Sequence, residues 1–159
     1  MPSFKAKRVV AVPSGIAYAV ASDVGAYREF LPLLEESTVI GTVRESNGGR
    51  AFRARLVAGY AKLGLREQFV SDVSCDPSML RVTATSQDAP FKQMKTVWKI
   101  VDRGNQSDVS VEIDYAMRNA FLQMALAGVM ELAVNKAMAA FEKRALAVYA
   151  ASSASSRSA

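Results

Sequence analysis

The chain has 159 residues, of which 50% are hydrophobic and 22% are charged, so it fits one globular domain and is not a disordered segment. It contains no histidine and one cysteine, Cys75, which excludes a Ser-His-Asp triad, a Cys-His pair, histidine-bearing zinc sites and an internal disulfide. The net charge of +5 lies mainly toward the N-terminal end. We interpret it chiefly as solubilising charge, with an anionic membrane surface or RNA as the alternative partners.

The same totals indicate a compartment. No window approaches the roughly 18 consecutive apolar residues of a membrane span, and the first ten residues lack the apolar core of a signal peptide. A lone cysteine agrees with a reducing environment. We therefore expect a cytoplasmic protein, with a peripheral position at the inner face of the membrane as the alternative.

The first 32 residues of the chain predict one strand followed by two short helices. Residues 4–12 alternate in the manner of a strand, and a helical spacing of apolar residues follows at 14–22. Asp23 can cap a second short helix over 24–30, which Pro32 ends.

After Pro32 the hydrophobic period changes to two, and turn residues such as Asn47-Gly48-Gly49 separate the alternating segments. Half-polar strands joined by short turns predict an antiparallel sheet with one face in water. With the first strand, the sheet should have about seven strands. The remaining strand segments are 38–43, 52–60, 65–73, 79–86, 91–101 and 109–118.

Residues 120–149 predict one long helix, because the segment contains no proline and keeps a helical pattern throughout. It is the only element able to cover the dry face of the sheet. The fold class is therefore α+β: a curved antiparallel sheet wrapped on a long C-terminal helix, with residues 1–150 as one domain and 151–159 as a disordered tail. A twisted sheet curls, so a straight helix can leave space near one end.

That space is the candidate binding site. The apolar surface of the helix is wider than the single stripe that a sheet face buries, so part of it is expected to line a cavity. Ordinary core packing is the alternative for every residue. The candidate lining residues are Phe52, Leu56, Tyr60, Phe69, Met94, Trp98, Ile113, Tyr115 and Met117 on the strands, and Leu122, Leu126, Val129 and Met130 on the helix.

Two charged residues are candidate polar contacts. Strict alternation points Glu67 inward with Phe69, where it could accept a ligand hydrogen bond or act as a base; the alternative is a strand end that returns it to water. Lys92 is expected to be a solvated strand charge, with contact to a polar head group at the cavity mouth as the alternative. Cys75 is expected to be inert. No catalytic residue and no metal ligand are predicted.

Several spaced motifs resemble a known family. They are D-V-x-x-Y-x-x-F-L-P at 23–32, Ala-Pro-Phe-Lys at 89–92, Trp98, Ile-Asp-Tyr at 113–115 and Phe-Glu-Lys-Arg-Ala at 141–145. Together they resemble coenzyme Q-binding START-domain proteins, which group with ribosome-association toxins and, more remotely, with polyketide cyclases. The resemblance implies the helix-grip fold, like that of birch-pollen allergens, in which a seven-stranded sheet grips a C-terminal helix around a lipid-accepting cavity.

Two positions depart from the family pattern. Ala89 stands where the family often has glycine before Pro-Phe, and Leu33 stands where it often has an aromatic residue after Leu-Pro. Either difference bears on the cavity mouth and so on the identity of the ligand.

The resemblance implies a protein that binds ubiquinone and serves respiration as a quinone chaperone or carrier, without a required cofactor. One alternative is a toxin-like protein that binds the large ribosomal subunit. A second alternative is an enzyme of the cyclase or aromatase type. The expected partners are therefore a prenyl lipid, then a membrane surface or the ribosome, but not DNA.

Overall fold

The computed structural model describes the backbone of residues 2–158 and their side chains except those of Leu63 and 155–158. Seven strands form one sheet, and three helices accompany it. The strands are β1 (Ser3–Val10), β2 (Leu34–Ser46), β3 (Gly49–Tyr60), β4 (Leu65–Asp76), β5 (Arg81–Ser86), β6 (Phe91–Arg103) and β7 (Gln106–Met117). The helices are α1 (Ser14–Ser22), α2 (Ala120–Ala127) and α3 (Met130–Ser158), with short 3₁₀ turns at Val24–Glu29 and Ala61–Leu63.

The sheet is an open antiparallel meander to which the first strand is added at one edge. Strands β2 to β7 pair in chain order, and β1 joins the far edge by pairing with β7, Ser3 opposite Asp114 and Val10 opposite Ser107. The turn between β2 and β3 shows why the local sequence folds this way. Asn47 and Gly48 both have positive φ, which is the backbone of the two-residue hairpin expected from Asn-Gly.

One face of the sheet is dry and the other is wet. Along β4 the side chains of Phe69, Ser71 and Val73 are buried, whereas Gln68, Asp72 and Ser74 on the other face are exposed. This period of two is that of a strand with one buried face. The predicted α+β class, a curved seven-stranded antiparallel sheet with a C-terminal helix, is confirmed by the sheet order and the element order.

The prediction of one straight helix over 120–149 is wrong. The structure divides the segment into α2 and α3, whose axes differ by 58° at a break around Gly128. Glycine is about 1 kcal/mol less favourable than alanine inside a helix, so the bend occurs where continuation is weakest. Asn119 gives α2 its own start, because its side chain accepts hydrogen bonds from the backbone N–H of Phe121 and Leu122.

The sequence also predicts a disordered tail over 151–159, but α3 continues through Ser158, and Ala159 lies outside the described residues. Alanine has the highest helix propensity, so the alanine-containing end can extend the helix. Among the described residues no single helix is long and apolar enough to span a membrane. The helices α2 and α3 meet the length and composition required only when they are joined across their bend.

The middle of α3 anchors the helix. Phe141 and Ala145 are fully buried, and α3 packs on β1, β7 and α1. Two ion pairs hold the same region: Arg8 with Glu142 at 2.9 Å, and Arg144 with Glu29 at 3.2 Å. The first two turns of α3 come before these contacts, and the cavity lies beneath them.

Candidate ligand-binding cavity

A cavity of about 220 Å³ lies between the dry face of the sheet and the first two turns of α3. The helix contributes Met130, Ala133, Val134 and Ala137, whose spacing of three and four places them on one face. Because Ala133 and Ala137 are small, this face leaves volume that larger side chains would fill. An engineered cavity of about 150 Å³ holds benzene, so this one has room for a substituted ring.

Part of the predicted site lies on the cavity wall. Trp98 lines the cavity, and its ring stacks on that of Phe141 of α3, with the two centroids 4.7 Å apart. Phe141 therefore holds the Trp98 ring in place on the wall. The predicted residues that line the cavity are Leu56, Phe69, Met94, Trp98, Ile113 and Met130.

Other predicted residues on the strands do not reach the cavity. Phe52, Tyr115 and Met117 are buried core residues, and Tyr60 is half-buried beyond the wall. The ring of Tyr115 stacks against Phe4 of β1 at 6.1 Å and is fully buried. These side chains point to the dry face, but other parts of the protein cover them, so they belong to the core.

The predicted helix residues before Met130 are also outside the wall. Leu122, Leu126 and Val129 are half-buried, and α2 has no buried residue at all. The cause is the bend at Gly128, because it directs α2 away from the line of α3 that covers the sheet.

Neither charged candidate lines the cavity. Glu67 is half-buried opposite Ala58, in the part of β4 that extends beyond its pairing with β5, so the strand end returns the carboxylate toward water. Lys92 is exposed at an irregularity in the pairing of β6 with β7. The wall among the described residues carries no charged side chain.

The hydrophobic pattern missed the connection from the 3₁₀ turn to β2, although the family resemblance placed Leu33 at the cavity mouth. This connection supplies Val24, Tyr27 and residues 31–34 to the wall. Tyr27 is buried and lines the cavity, and its hydroxyl donates to the carbonyl of Ala21. Burial raises the pKa of Tyr27, so the phenol stays neutral. The helical spacing and Pro32 predict a turn here, but the spacing of residues alone does not show that the turn closes a cavity.

The exposed side of the cavity lies along this connection. Pro32 and Leu33 line it and are exposed, and Leu33 has a φ of 74°, an unfavourable value for a residue with a side chain. The carbonyl of Leu33 accepts a hydrogen bond from Gly59 N–H at 2.8 Å, which holds the segment against β3. We call residues 31–34, together with the start of α3, the mouth.

An apolar patch lies on α2, the helix that precedes the α3 part of the mouth in the chain. Phe121 and Met124 of α2 are 72% and 78% exposed, and α2 ends three residues before Met130 on the cavity wall. Large apolar side chains that are exposed together mark an interaction surface more often than a packing fault.

The wall is suited to binding and poorly equipped for acid–base chemistry. Its polar side-chain groups include the Tyr27 phenol and the hydroxyls of Ser71 and Thr96, none of which is a general base at neutral pH. Cys75 lies outside the wall, and burial raises the pKa of its thiol, the opposite of what a nucleophile needs. Among the described residues no group of histidine, cysteine or carboxylate side chains could hold a metal ion.

Comparisons with known proteins agree with this geometry. Residues 10–142 match the family described as polyketide cyclase / dehydrase and lipid transport. The mitochondrial coenzyme Q-binding protein coq10 of Schizosaccharomyces pombe is 31% identical over 119 residues, which cover 72% of this chain and 70% of that protein. The ribosome association toxin RatA of Rickettsia prowazekii is 22% identical over 148 residues, covering 91% and 97% respectively.

A solved structure shares the architecture. A START superfamily protein from Mycobacterium smegmatis superposes with a TM-score of 0.72 at 19% identity, covering 92% of this chain and 98% of that one. The resemblance inferred from the spaced motifs, and the START-like helix-grip fold that it implies, are confirmed. The chain belongs to the polyketide cyclase / dehydrase and lipid transport family.

Proposed function

We propose that this protein binds a prenyl quinone of the ubiquinone type, with the ring in the cavity and the tail leaving through the mouth. The observation that carries the proposal is the cavity itself, a 220 Å³ space with an apolar and uncharged wall. The similarity to coenzyme Q-binding protein coq10 supports the choice of ligand class.

The size of the cavity decides how much of the ligand it can hold. Sites that enclose a whole small ligand usually measure about 300–1,000 Å³. At 220 Å³ the cavity suits a substituted ring and the first part of a tail. The rest of a polyprenyl chain would lie along the mouth and the apolar patch of α2.

Apolar burial can supply the affinity. Each buried methylene contributes about 0.8 kcal/mol, so two isoprene units contribute on the order of 8 kcal/mol. Association costs roughly 4–15 kcal/mol in lost freedom. Ring and tail together can therefore exceed that cost without a catalytic or ionic group.

The apolar patch supports exchange of the ligand at a membrane surface. A quinone with its tail at the mouth is best transferred where the tail can pass directly between protein and lipid. Phe121 and Met124 are placed to enter the acyl boundary of a bilayer while the cavity stays above it. On this proposal the protein is a carrier or chaperone that supports respiration, positioned peripherally on the cytoplasmic side of the membrane.

The test uses the single tryptophan of the chain, Trp98, which lies on the cavity wall. A ubiquinone with two isoprene units is titrated into the protein while Trp98 fluorescence is recorded. Saturable quenching at one quinone per chain is expected. Quenching that rises linearly without saturation, or no quenching, contradicts the proposal.

A second candidate function is binding to the ribosome, which the similarity to RatA over almost the whole of both chains favours. The net charge of +5 suits an RNA surface. Co-sedimentation with the large ribosomal subunit at moderate salt tests it. Retention of the protein on the subunit, together with non-saturating quinone quenching, would favour this candidate.

A further inference from the structure

Ser71 carries a buried hydroxyl without a hydrogen-bond partner, and its side chain is fully buried on the cavity wall. The hydroxyl of Tyr115 is also buried without a partner, but Tyr115 lies outside the wall. The other buried serines are bonded within the protein. Ser37 bonds to Gly25 and Arg28, and Ser107 donates to the carbonyl of Val12. The other buried polar residues, Ser22, Ser86 and Asp108, are bonded as well.

The neighbours of Ser71 do not supply the missing partner. Ala54 stands opposite it on β3. Across the sheet toward β5, the hydroxyl of Ser86 is already used, since it donates to the carbonyl of Val70 at 2.7 Å and accepts from Asp88 N–H at 3.2 Å. The other two hydroxyls of the wall have acceptors of their own: Thr96 donates to the weak acceptor Met94 Sδ at 3.2 Å, and Tyr27 donates to the carbonyl of Ala21.

A buried hydroxyl without a partner destabilises a protein, and an alanine at position 71 would avoid that cost. Because Ser71, unlike Tyr115, lies on the cavity wall, its hydroxyl is best explained by a partner that enters the cavity. Serine can both donate and accept, so it can bond to a carbonyl, ether or hydroxyl oxygen. A carboxylate or phosphate would be buried against a wall with no cation, which is strongly unfavourable.

We propose that Ser71 binds the oxygen of an uncharged head group and thereby orients the ligand, with its head group inside and its hydrocarbon tail at the mouth. This rests on the proposed function and deepens it. The orientation follows from position: Ser71 is fully buried in the middle of β4, whereas the exposed lining residues Pro32 and Leu33 are apolar. Fatty acids and phospholipids are excluded as preferred ligands, and neutral oxygenated prenyl compounds are favoured.

The test compares two probes that differ in one polar group, farnesol and the hydrocarbon farnesene. Their affinities are measured by displacement of Nile red from the wild type and from Ser71→Ala. Wild type should prefer farnesol, and Ser71→Ala should lose about 5- to 100-fold in affinity for farnesol with little change for farnesene. Ser86→Ala, a buried serine outside the wall, is the matched control and should keep the preference.

Stability gives an independent readout. Because the hydroxyl has no internal partner, Ser71→Ala should leave the urea midpoint of the unliganded protein unchanged or raised. A lowered midpoint would show an internal hydrogen bond and overturn the inference. An equal preference for farnesol in wild type and Ser71→Ala would overturn it as well.

Chain length tests the orientation. If the head group is inside, a ubiquinone with four isoprene units should bind no more weakly than one with two; weaker binding of the longer chain places the tail inside and refutes the orientation. The quinone proposal is judged separately. If the quinones fail to bind but the farnesol preference depends on Ser71, the role of Ser71 stands and the ligand is another neutral prenyl compound.

Discussion

Filling the cavity with a larger side chain tests whether the space beneath α3 is empty. The sign of the change in the free energy of unfolding gives the answer. Ala137 lies on the wall, one turn after Ala133, and Ala137→Leu adds three carbon atoms to this side of the space. In an empty cavity of 220 Å³ the added carbons should stabilise the protein by about 2 kcal/mol, at roughly 0.8 kcal/mol for each. In a packed interior the same substitution costs about 1–3 kcal/mol through strain.

The assay is equilibrium unfolding in urea. With a slope of about 1–3 kcal/mol per molar for a small protein, a gain of about 2 kcal/mol raises the midpoint by roughly 1 M. Ala139→Leu is the matched control, because Ala139 is exposed on the same helix and should change stability by less than about 0.5 kcal/mol. In parallel, Ala137→Leu should weaken quenching of Trp98 by the two-isoprene quinone at least about 10-fold, since the ligand and the new side chain compete for one volume.

The result that refutes this reasoning is a lowered midpoint for Ala137→Leu beside an unchanged midpoint for Ala139→Leu. It would mean that no usable space lies between α3 and the sheet. A raised midpoint with unchanged quinone binding would show that the space exists but that the quinone binds elsewhere on the protein.

Two further predictions concern the surface and the thiol. Replacing Phe121 and Met124 by serine should reduce flotation with phosphatidylcholine vesicles about 10-fold or more, because each large side chain contributes about 1.5–3 kcal/mol when buried. The control replaces Val9 and Val101 by serine, since both are 55% exposed on strands. An equal loss of flotation in the control would argue against the patch on α2. Burial raises the pKa of Cys75, so at pH 8 the native thiolate fraction is smaller than in the unfolded chain. Reaction with Ellman's reagent should be slow in buffer and fast in urea, and equal rates would show that the thiol is accessible in the native protein.

The fold could be predicted because its signals are local and mutually consistent. Alternation with a period of two places Phe69 and Val73 on one face of β4, and Asn47-Gly48 marks the first hairpin. The break at Gly128 was missed because one glycine in an otherwise helical pattern is usually tolerated. Whether the helix bends there depends on tertiary packing, which the sequence pattern does not report.

The cavity wall could be predicted only in part, for a different physical reason. Alternation shows which face of a strand is dry, but not where a helix leaves that face uncovered. Trp98 and Tyr115 both point to the dry face, yet Trp98 lines the cavity while Tyr115 is core beneath Phe4. A cavity also depends on small side chains such as Ala133 and Ala137, and prediction from large apolar residues overlooks them.

The central claim is that a prenyl quinone occupies the space between the sheet and α3. Its most direct test is to purify the protein from a host that makes ubiquinone, extract it with organic solvent and quantify prenyl quinones by mass spectrometry, with Ala137→Leu purified in parallel. The account predicts ubiquinone in the wild-type extract and much less in the variant. No quinone in the wild-type extract, or equal amounts from both proteins, would contradict it.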